Sequence, residues 1–167
     1  MKKNIYFLLL VIPLTLFSQK KVIDTIQGTK QDLDEVVVES IRVKYSSPIS
    51  HSNISKAELS LRNLGQDLPI LLNFLPSIIT TSDAGNGVGY TGIRIRGVSS
   101  QSTNITINGI PFNDPESHGT YWVNLPDFTS SIESLQVQRG VGTSTNGSGA
   151  FGASINILTD IVSQDPY

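Results

Sequence analysis

The feature that most constrains the fold is a series of short segments in which apolar and polar residues alternate, each bounded by glycine or another turn-forming residue. Three such segments cover residues 93–97, 134–139 and 153–159. Alternation with a period of two is typical of a β-strand that packs one face against a core. Charged residues make up only 16% of the 167-residue chain, which contains 14 glycines. This composition favours short strands and turns over long helices.

A dipeptide in the middle of the chain predicts a β-hairpin. Asn108-Gly109 separates the apolar residues 105–107 from Ile110 and Pro111. Both residues of the dipeptide tolerate the positive φ angles that a two-residue hairpin turn requires. We therefore expect two antiparallel strands to meet at this turn.

Two short helices are predicted before these strands. Apolar residues recur at helical spacing within residues 52–64, and Ser55 is placed to begin the first helix. A second helix should begin at Asp67, whose carboxylate can cap the exposed amides, and should end near Leu75, because Pro76 disfavours helical geometry in the preceding residue. The expected fold class is α+β: a small mixed β-sheet with short helices and Gly-rich loops.

The first 19 residues have the pattern of a signal peptide. Lys2 and Lys3 precede an apolar run over residues 5–17. This run is shorter than the roughly 20 residues that a helix needs to cross a bilayer. The mature chain is therefore expected to leave the cytoplasm.

The composition then changes from polar to strongly β-branched. Residues 20–33 are polar without apolar periodicity, as expected of a flexible leader. Residues 34–40 read Asp-Glu-Val-Val-Val-Glu-Ser, and the alternation continues through Tyr45. This pattern predicts an extended strand, and residues 41–160 are expected to form the folded domain.

Composition and spacing argue against several classes of function. The chain has no cysteine and a net charge of −2 without a basic patch, which argues against cysteine-based zinc sites and nucleic-acid binding. Residues 147–152 match the G-x-G-x-x-G pattern, but a strand pattern follows where a dinucleotide site needs a helix. No G-x-S-x-G motif accompanies the two histidines, so we predict neither an enzyme nor a cofactor.

One loop concentrates polar and aromatic side chains. Asp114, Glu116 and His118 lie close together in the sequence, but the flanking proline and glycine indicate a mobile turn, which favours a solvated loop over a metal site. Tyr121 and Trp122 end the loop. Two alternatives stay open for these aromatic residues: contact with a ligand, or burial beneath the sheet.

Six segments, taken in order, resemble the plug domain of TonB-dependent outer-membrane receptors. The resemblance spans about residues 34–160. It includes small departures, such as Asn108 where the family usually has aspartate and Val141 where it usually has proline. The segments are residues 34–38 (DEVVV), 68–78 (LPILLNFLPSI), 93–97 (IRIRG), 105–111 (ITINGIP), 132–140 (IESLQVQRG) and 146–159 (NGSGAFGASINILT).

The resemblance implies a plug seated in a barrel of about 22 strands in the outer membrane. A box formed by Asp34, Glu35, Val36, Val37 and Val38 would add as a strand to the periplasmic TonB protein. Pulling on this strand would remodel the plug and open a path for the ligand.

The resemblance also implies two further sets of contacts. Arg94, Arg96 and Arg139 would meet carboxylates of the barrel. The upper loops would hold a small-molecule or metal-chelate ligand, such as a siderophore or a ferric-citrate-like iron complex. The ligand-contacting residues would be Asp83, Asn86, Asp114, Glu116, His118, Tyr121 and Trp122.

Three hypotheses remain for the chain as a whole. Residues 161–167 would begin the first barrel strand or form a tail, which favours a fragment of a larger receptor. The alternative is a stand-alone plug-like module that binds ligand or TonB in the periplasm without transport. A secreted enzyme or adhesin of unrelated function is the third.

Overall fold

The computed structural model describes residues 41–141, 146–147 and 149–161. The predicted signal peptide, leader and TonB box, like residues 162–167, lie outside these ranges. The strands are β1 (His51–Ser55), β2 (Ile78–Ser82), β3 (Thr91–Ile95), β4 (Thr103–Ile107), β5 (Ile110–Pro111), β6 (Ile132–Arg139) and β7 (Ala153–Thr159). The helices are α1 (Lys56–Ser60) and α2 (Leu68–Leu71), with 3-10 turns at Ser100–Ser102, Trp122–Asn124 and Phe128–Ser131.

The strands form two sheets. Strands β1, β6, β7, β4 and β5 make one sheet in that spatial order, and β2 pairs with β3 in a second sheet. In the larger sheet β4 and β7 run parallel, whereas the other described neighbours are antiparallel. The predicted α+β class, with a small mixed sheet and short helices, is confirmed. In the described ranges, no helix has both the length and the apolar character needed to cross a membrane.

The two faces of the larger sheet differ in chemistry, although both are buried. Leu135 and Val137 of β6 join Ile155 and Ile157 of β7 in the apolar core, where each side chain is at most 1% exposed. The apolar face predicted from the alternation is therefore confirmed. The opposite face carries the buried polar side chains Gln136, Gln138, Ser154 and Asn156.

The hairpin at Asn108-Gly109 forms as predicted. The two residues have φ angles of 51° and 81°, which asparagine and glycine tolerate. The Asn108 side chain also hydrogen-bonds the turn to the end of β7. Its Oδ1 accepts from the Thr159 backbone amide at 3.0 Å, and its Nδ2 donates to Thr159 Oγ1 at 2.8 Å. An ionised aspartate could not donate the second of these hydrogen bonds.

Helix α1 begins with a capping box at Ser55, as the sequence predicts. Ser55 Oγ accepts from the Glu58 backbone amide, and Glu58 Oε2 accepts from the Ser55 amide at 2.9 Å. Hydrogen bonds from the Ser55 backbone and then from its hydroxyl lower the pKa of Glu58. The apolar spacing over residues 52–64 extends beyond the helix at both ends, because residues 52–55 pair with β6 and the helix stops at Ser60.

Replacing Ser55 with alanine should lower the free energy of unfolding by about 1 kcal/mol, because the cap is lost. Urea titrations followed by Trp122 fluorescence would measure the change. The matched control is Ser60→Ala, because the Ser60 hydroxyl donates to the Ala57 carbonyl of the same helix and does not cap it. An equal loss in both variants would contradict a capping role.

The same comparison should depend on pH. Because the folded pKa of Glu58 is lowered, its contribution to stability is present above the unfolded pKa and is lost as pH falls through the folded pKa. The difference in the free energy of unfolding between wild type and Ser55→Ala should therefore become smaller at acidic pH.

Helix α2 begins after Asp67, as predicted, but the Asp67 carboxylate does not cap it. This side chain is 2% exposed, and its Oδ2 accepts from the Thr91 hydroxyl at 2.8 Å. The predicted capping bond is wrong because a buried hydroxyl on β3 uses the carboxylate. The helix ends at Leu71, and the chain continues to Leu75 in hydrogen-bonded turns.

Residues 41–45 do not form the predicted strand, although apolar and polar residues alternate in them. They cross the polar face of the larger sheet. There the Gln136 side chain bonds the backbone of Val43, and the Arg42 guanidinium bonds backbone carbonyls of β6 and β7. The prediction is wrong here because side chains replace the expected strand ladder.

Candidate functional site

Two loops converge on a small cavity beside the β2–β3 hairpin. The cavity has a volume of about 170 Å³, and Asp83, Tyr90 and Tyr121 line it together with Thr120 and Trp122. Three of these residues are predicted from the sequence as ligand contacts: Asp83, Tyr121 and Trp122. The structure brings all three together, although 38 positions separate Asp83 from Tyr121.

The residues that line the cavity include two exposed aromatic rings and two residues with a buried, unpaired hydrogen-bonding atom. Tyr90 and Tyr121 are 68% and 50% exposed, so both rings are available to a ligand. Trp122 Nε1 and Thr120 Oγ1 are buried and have no hydrogen-bond partner among the described residues. A buried polar group without a partner is destabilising.

Trp122 itself belongs to the core. Its side chain is 2% exposed and packs within the main apolar cluster. The prediction of a ligand contact through an exposed Trp122 ring is therefore wrong, and burial, the alternative left open, is what the structure shows. The physical reason is the large apolar area that an indole removes from water.

A Gly-rich turn places Asp83 and Tyr90 side by side. The Asp83 amide donates to the Tyr90 carbonyl at 3.1 Å, and three glycines between these residues have positive φ angles. Asn86 lies in the same turn, where its Oδ1 accepts from the Val88 amide at 3.0 Å. The Asn86 side chain thus shapes the turn and is not among the residues that line the cavity.

The Asp114 carboxylate organises the second loop. Its Oδ1 accepts from the Ser117 amide at 2.7 Å, from the Ser117 hydroxyl at 2.8 Å and from the Glu116 amide at 3.1 Å. These bonds, led by the Ser117 amide, lower the pKa of Asp114. Tyr121 Oη donates to Ser117 Oγ at 3.2 Å, which connects this loop to the cavity. His118 lines a different cavity of about 270 Å³.

Arg96 and Arg139 bring two positive charges together. Arg139 donates to the hydroxyls of Ser50 and Ser52, whereas its buried Nε has no partner among the described residues. Burial and then the charge of Arg96 lower the pKa of Arg139. Within the described ranges the ion pair found involves Lys56 instead, so neither arginine has a carboxylate partner there.

Two other predicted residues lie apart from the cavity. Glu116 is exposed on the Asp114 loop, and Arg94 is exposed on β3 opposite Ile79. Across the part of the chain that the structure describes, no group of three or more His, Asp or Glu side chains could hold a metal ion.

Tyr90 and Thr120 also line the cavity, and neither was predicted from the sequence. Tyr90 follows Gly89 at the end of a Gly-rich loop, and an aromatic residue beside such a turn is a signal that could have found it. Thr120 carries no such signal, because its position in the cavity depends on packing between distant segments.

The fold belongs to a known class of domain. A family model described as the TonB-dependent receptor plug domain matches residues 43–154. The chain therefore belongs to the TonB-dependent receptor plug domain family, and the resemblance seen in the sequence is confirmed.

Individual relatives can also be named. Over 132 residues the chain is 34% identical to the vitamin B12 transporter BtuB of Vibrio vulnificus, covering 77% of this chain and 21% of the relative. Over 155 residues it is 26% identical to the probable TonB-dependent siderophore receptor PirA of Acinetobacter baumannii, covering 84% and 21%. The chain thus spans about a fifth of the length of these relatives. Neither relative is described as an enzyme.

Solved structures agree with this assignment. The siderophore receptor PirA of Acinetobacter baumannii superposes with a TM-score of 0.54 at 27% identity, over 68% of this chain and 17% of that chain. The ferric enterobactin receptor PfeA of Pseudomonas aeruginosa gives 0.52 at 26% identity, over 72% and 18%. The predicted plug fold is confirmed.

Proposed function

We propose that this domain is the plug of an outer-membrane receptor and that it gates energy-coupled uptake of a scarce ligand. The observation that carries the proposal is the convergence of two loops of a plug-family domain on the cavity lined by Asp83, Tyr90 and Tyr121. A plug that fills the lumen of a large barrel blocks passage. Ligand held by these loops would then pass only after the plug rearranges.

The proposed ligand is a siderophore or a ferric-citrate-like iron complex. Named relatives are receptors for siderophores, and two exposed tyrosine rings line the cavity. The cavity of about 170 Å³ is smaller than a typical ligand pocket, so the barrel would supply the remaining contacts.

Energy would reach the plug through Asp34, Glu35, Val36, Val37 and Val38. In an extended segment of this kind, backbone amides and carbonyls pair with the edge of a partner sheet, and side chains contribute little. The partner would be the TonB protein in the periplasm. Energy supplied from the inner membrane in this way requires no hydrolysis by the plug itself.

Val37→Pro should abolish binding of the chain to the periplasmic domain of TonB. Proline removes the backbone amide that strand pairing needs. Isothermal titration of the two proteins would measure the loss. Ile26→Pro, in the predicted leader, is the matched control and should bind like wild type. Unchanged affinity of Val37→Pro would contradict the assignment of the TonB box.

The arginine pair would face the barrel wall. Arg96 and Arg139 lie close together without a carboxylate partner among the described residues. Arg139 is half-buried and Arg96 is exposed beside it, and guanidinium groups suit paired hydrogen bonds to carboxylates. We therefore assign to this pair the barrel contact that the family resemblance implies.

A further inference from the structure

A short stretch of chain crosses the polar face of the larger sheet without joining it as a strand. This stretch, residues 41–44, is the strap. Gln136 of β6 bonds the strap at two points. Its Oε1 accepts from the Val43 amide at 2.7 Å, and its Nε2 donates to the Val43 carbonyl at 3.0 Å. The glutamine side chain thus occupies the place that the backbone of a neighbouring strand has in a sheet ladder.

Two further side chains complete the attachment. Gln138 Nε2 donates to the Ile41 carbonyl at 3.2 Å. From the strap, Arg42 donates to the Ser134 carbonyl at 2.9 Å and to the Asn156 carbonyl at 3.1 Å. Each of these hydrogen bonds joins a side chain to a backbone group. The strap can therefore leave without breaking a hydrogen bond between two strands.

The surface beneath the strap is polar, and within the strap Val43 is a buried apolar side chain, 8% exposed. Lifting the strap would therefore expose mainly amide groups together with the Val43 side chain. Gln136 and Asn156 are 2% and 3% exposed, and an amide that loses a protein partner to water loses little net free energy. Asn156 Nδ2 and Arg42 Nε have no partner among the described residues and would gain one from water. Uncovering the opposite, apolar face would instead remove hydrophobic stabilisation.

The strap also lies between two cavities. Ile41, at the start of the strap, and Asn104 of β4 line a cavity of about 270 Å³. Arg42 and Val43 line the other, of about 320 Å³. Removing the strap would remove the material that lines one side of each cavity.

We infer that the strap lifts from an intact sheet as a unit, and that its departure joins the two cavities into one hydrated, amide-lined trough. The inference deepens the proposed function by naming the first contacts to break. It rests on that function only for the source of the pull, because the proposed TonB box directly precedes the strap. Lifting of the strap is a property of the chain alone.

Native-state hydrogen exchange in increasing urea tests the separate opening of the strap. The Val43 amide should exchange at least about 10-fold faster than the Ile155 amide in β7, with little dependence on urea. The exchange of the Ile155 amide should depend on urea as strongly as global unfolding does. If both amides show the same rate and the same urea dependence, the strap opens only with the whole domain and the inference is wrong.

A variant identifies the contacts that hold the strap. Gln136→Met keeps the side-chain volume and removes both hydrogen bonds to Val43. The exchange rate of the Val43 amide should therefore rise by about 10-fold or more. The Ile155 amide should still exchange only when the whole domain unfolds. Gln66→Met, a half-buried glutamine beside α2, is the matched control. If Gln136→Met does not fold, the wild-type urea dependence still decides between the two outcomes.

Thiol labelling tests the trough. The chain has no cysteine, so a single introduced thiol reports one position. Asn156→Cys lies beneath the strap and should react with a maleimide without urea, with the same free energy of opening that Val43 exchange reports. Ala153→Cys, 0% exposed in the apolar core of the same strand, should react only on global unfolding. Protection of both thiols until global unfolding would overturn the trough. Titration with TonB measures binding by the TonB box whether or not the strap lifts. A failure of the strap inference can therefore be distinguished from a failure of the proposed function.

Discussion

Trp122→Ala is expected to lower the free energy of unfolding by about 3–5 kcal/mol. The indole is 2% exposed and is the largest fully buried side chain in the described part of the chain, so its removal leaves a cavity that the core cannot fill. A domain of this size has a total stability of only about 5–15 kcal/mol, so the variant should be close to unfolding. Urea titrations followed by far-ultraviolet circular dichroism would measure the loss.

The adjacent aromatic residue provides the control. Tyr121 is 50% exposed, so Tyr121→Ala should change the stability by less than about 1 kcal/mol. It should instead weaken ligand binding about 10-fold or more, because an aromatic anchor is lost. Titration of ferric citrate and ferric enterobactin, followed by Trp122 fluorescence, would measure the affinity. Equal destabilisation by both substitutions would contradict the division between a core residue and a ligand-contacting residue.

Local sequence determined the positions of the strands that bury one apolar face. The alternation at residues 153–159 predicted β7 with its observed bounds, and Asn108-Gly109 predicted the hairpin turn. Both signals depend on contacts between near neighbours or on intrinsic backbone preferences. They can therefore be read from the sequence when the rest of the fold is unknown.

The polar side chains that act at long range were not predictable in this way. Asp67 was expected to cap its own helix, but Thr91, 24 positions away, uses its carboxylate. Residues 41–45 were expected to form a strand because they alternate, yet Gln136 satisfies the Val43 backbone instead. A side-chain amide can imitate a strand backbone, and no pattern within a short window shows that it does so.

The candidate site was predicted in part for the same reason. Asp83 and Tyr121 could be singled out because they lie in loops with turn-forming residues, where binding residues concentrate. The identity of their neighbours depends on how the two loops pack. Only the structure therefore shows that Tyr90 shares their cavity and that Trp122 faces the core.

Gly152→Val is expected to destabilise the domain by about 3 kcal/mol, the upper part of the usual range for overpacking. A Cβ atom at Gly152 would lie 2.6 Å from Val98 Cβ and 2.7 Å from Val98 Cγ1. Val98 Cβ is attached directly to the backbone, so no change of rotamer relieves the first contact. Either the start of β7 or the turn after Arg96 and Gly97 must move.

Two further variants separate this contact from a general intolerance of side chains in the loop. Gly149→Val is the matched control, since a Cβ there meets no atom within 4 Å, and it should change stability by less than about 1 kcal/mol. In the Val98→Gly background, Gly152→Val should lose much of its effect, because the colliding atoms are gone. An undiminished effect would show that another contact requires the glycine. A reduced effect would show that the turn after residues 93–97 and the start of β7 depend on each other.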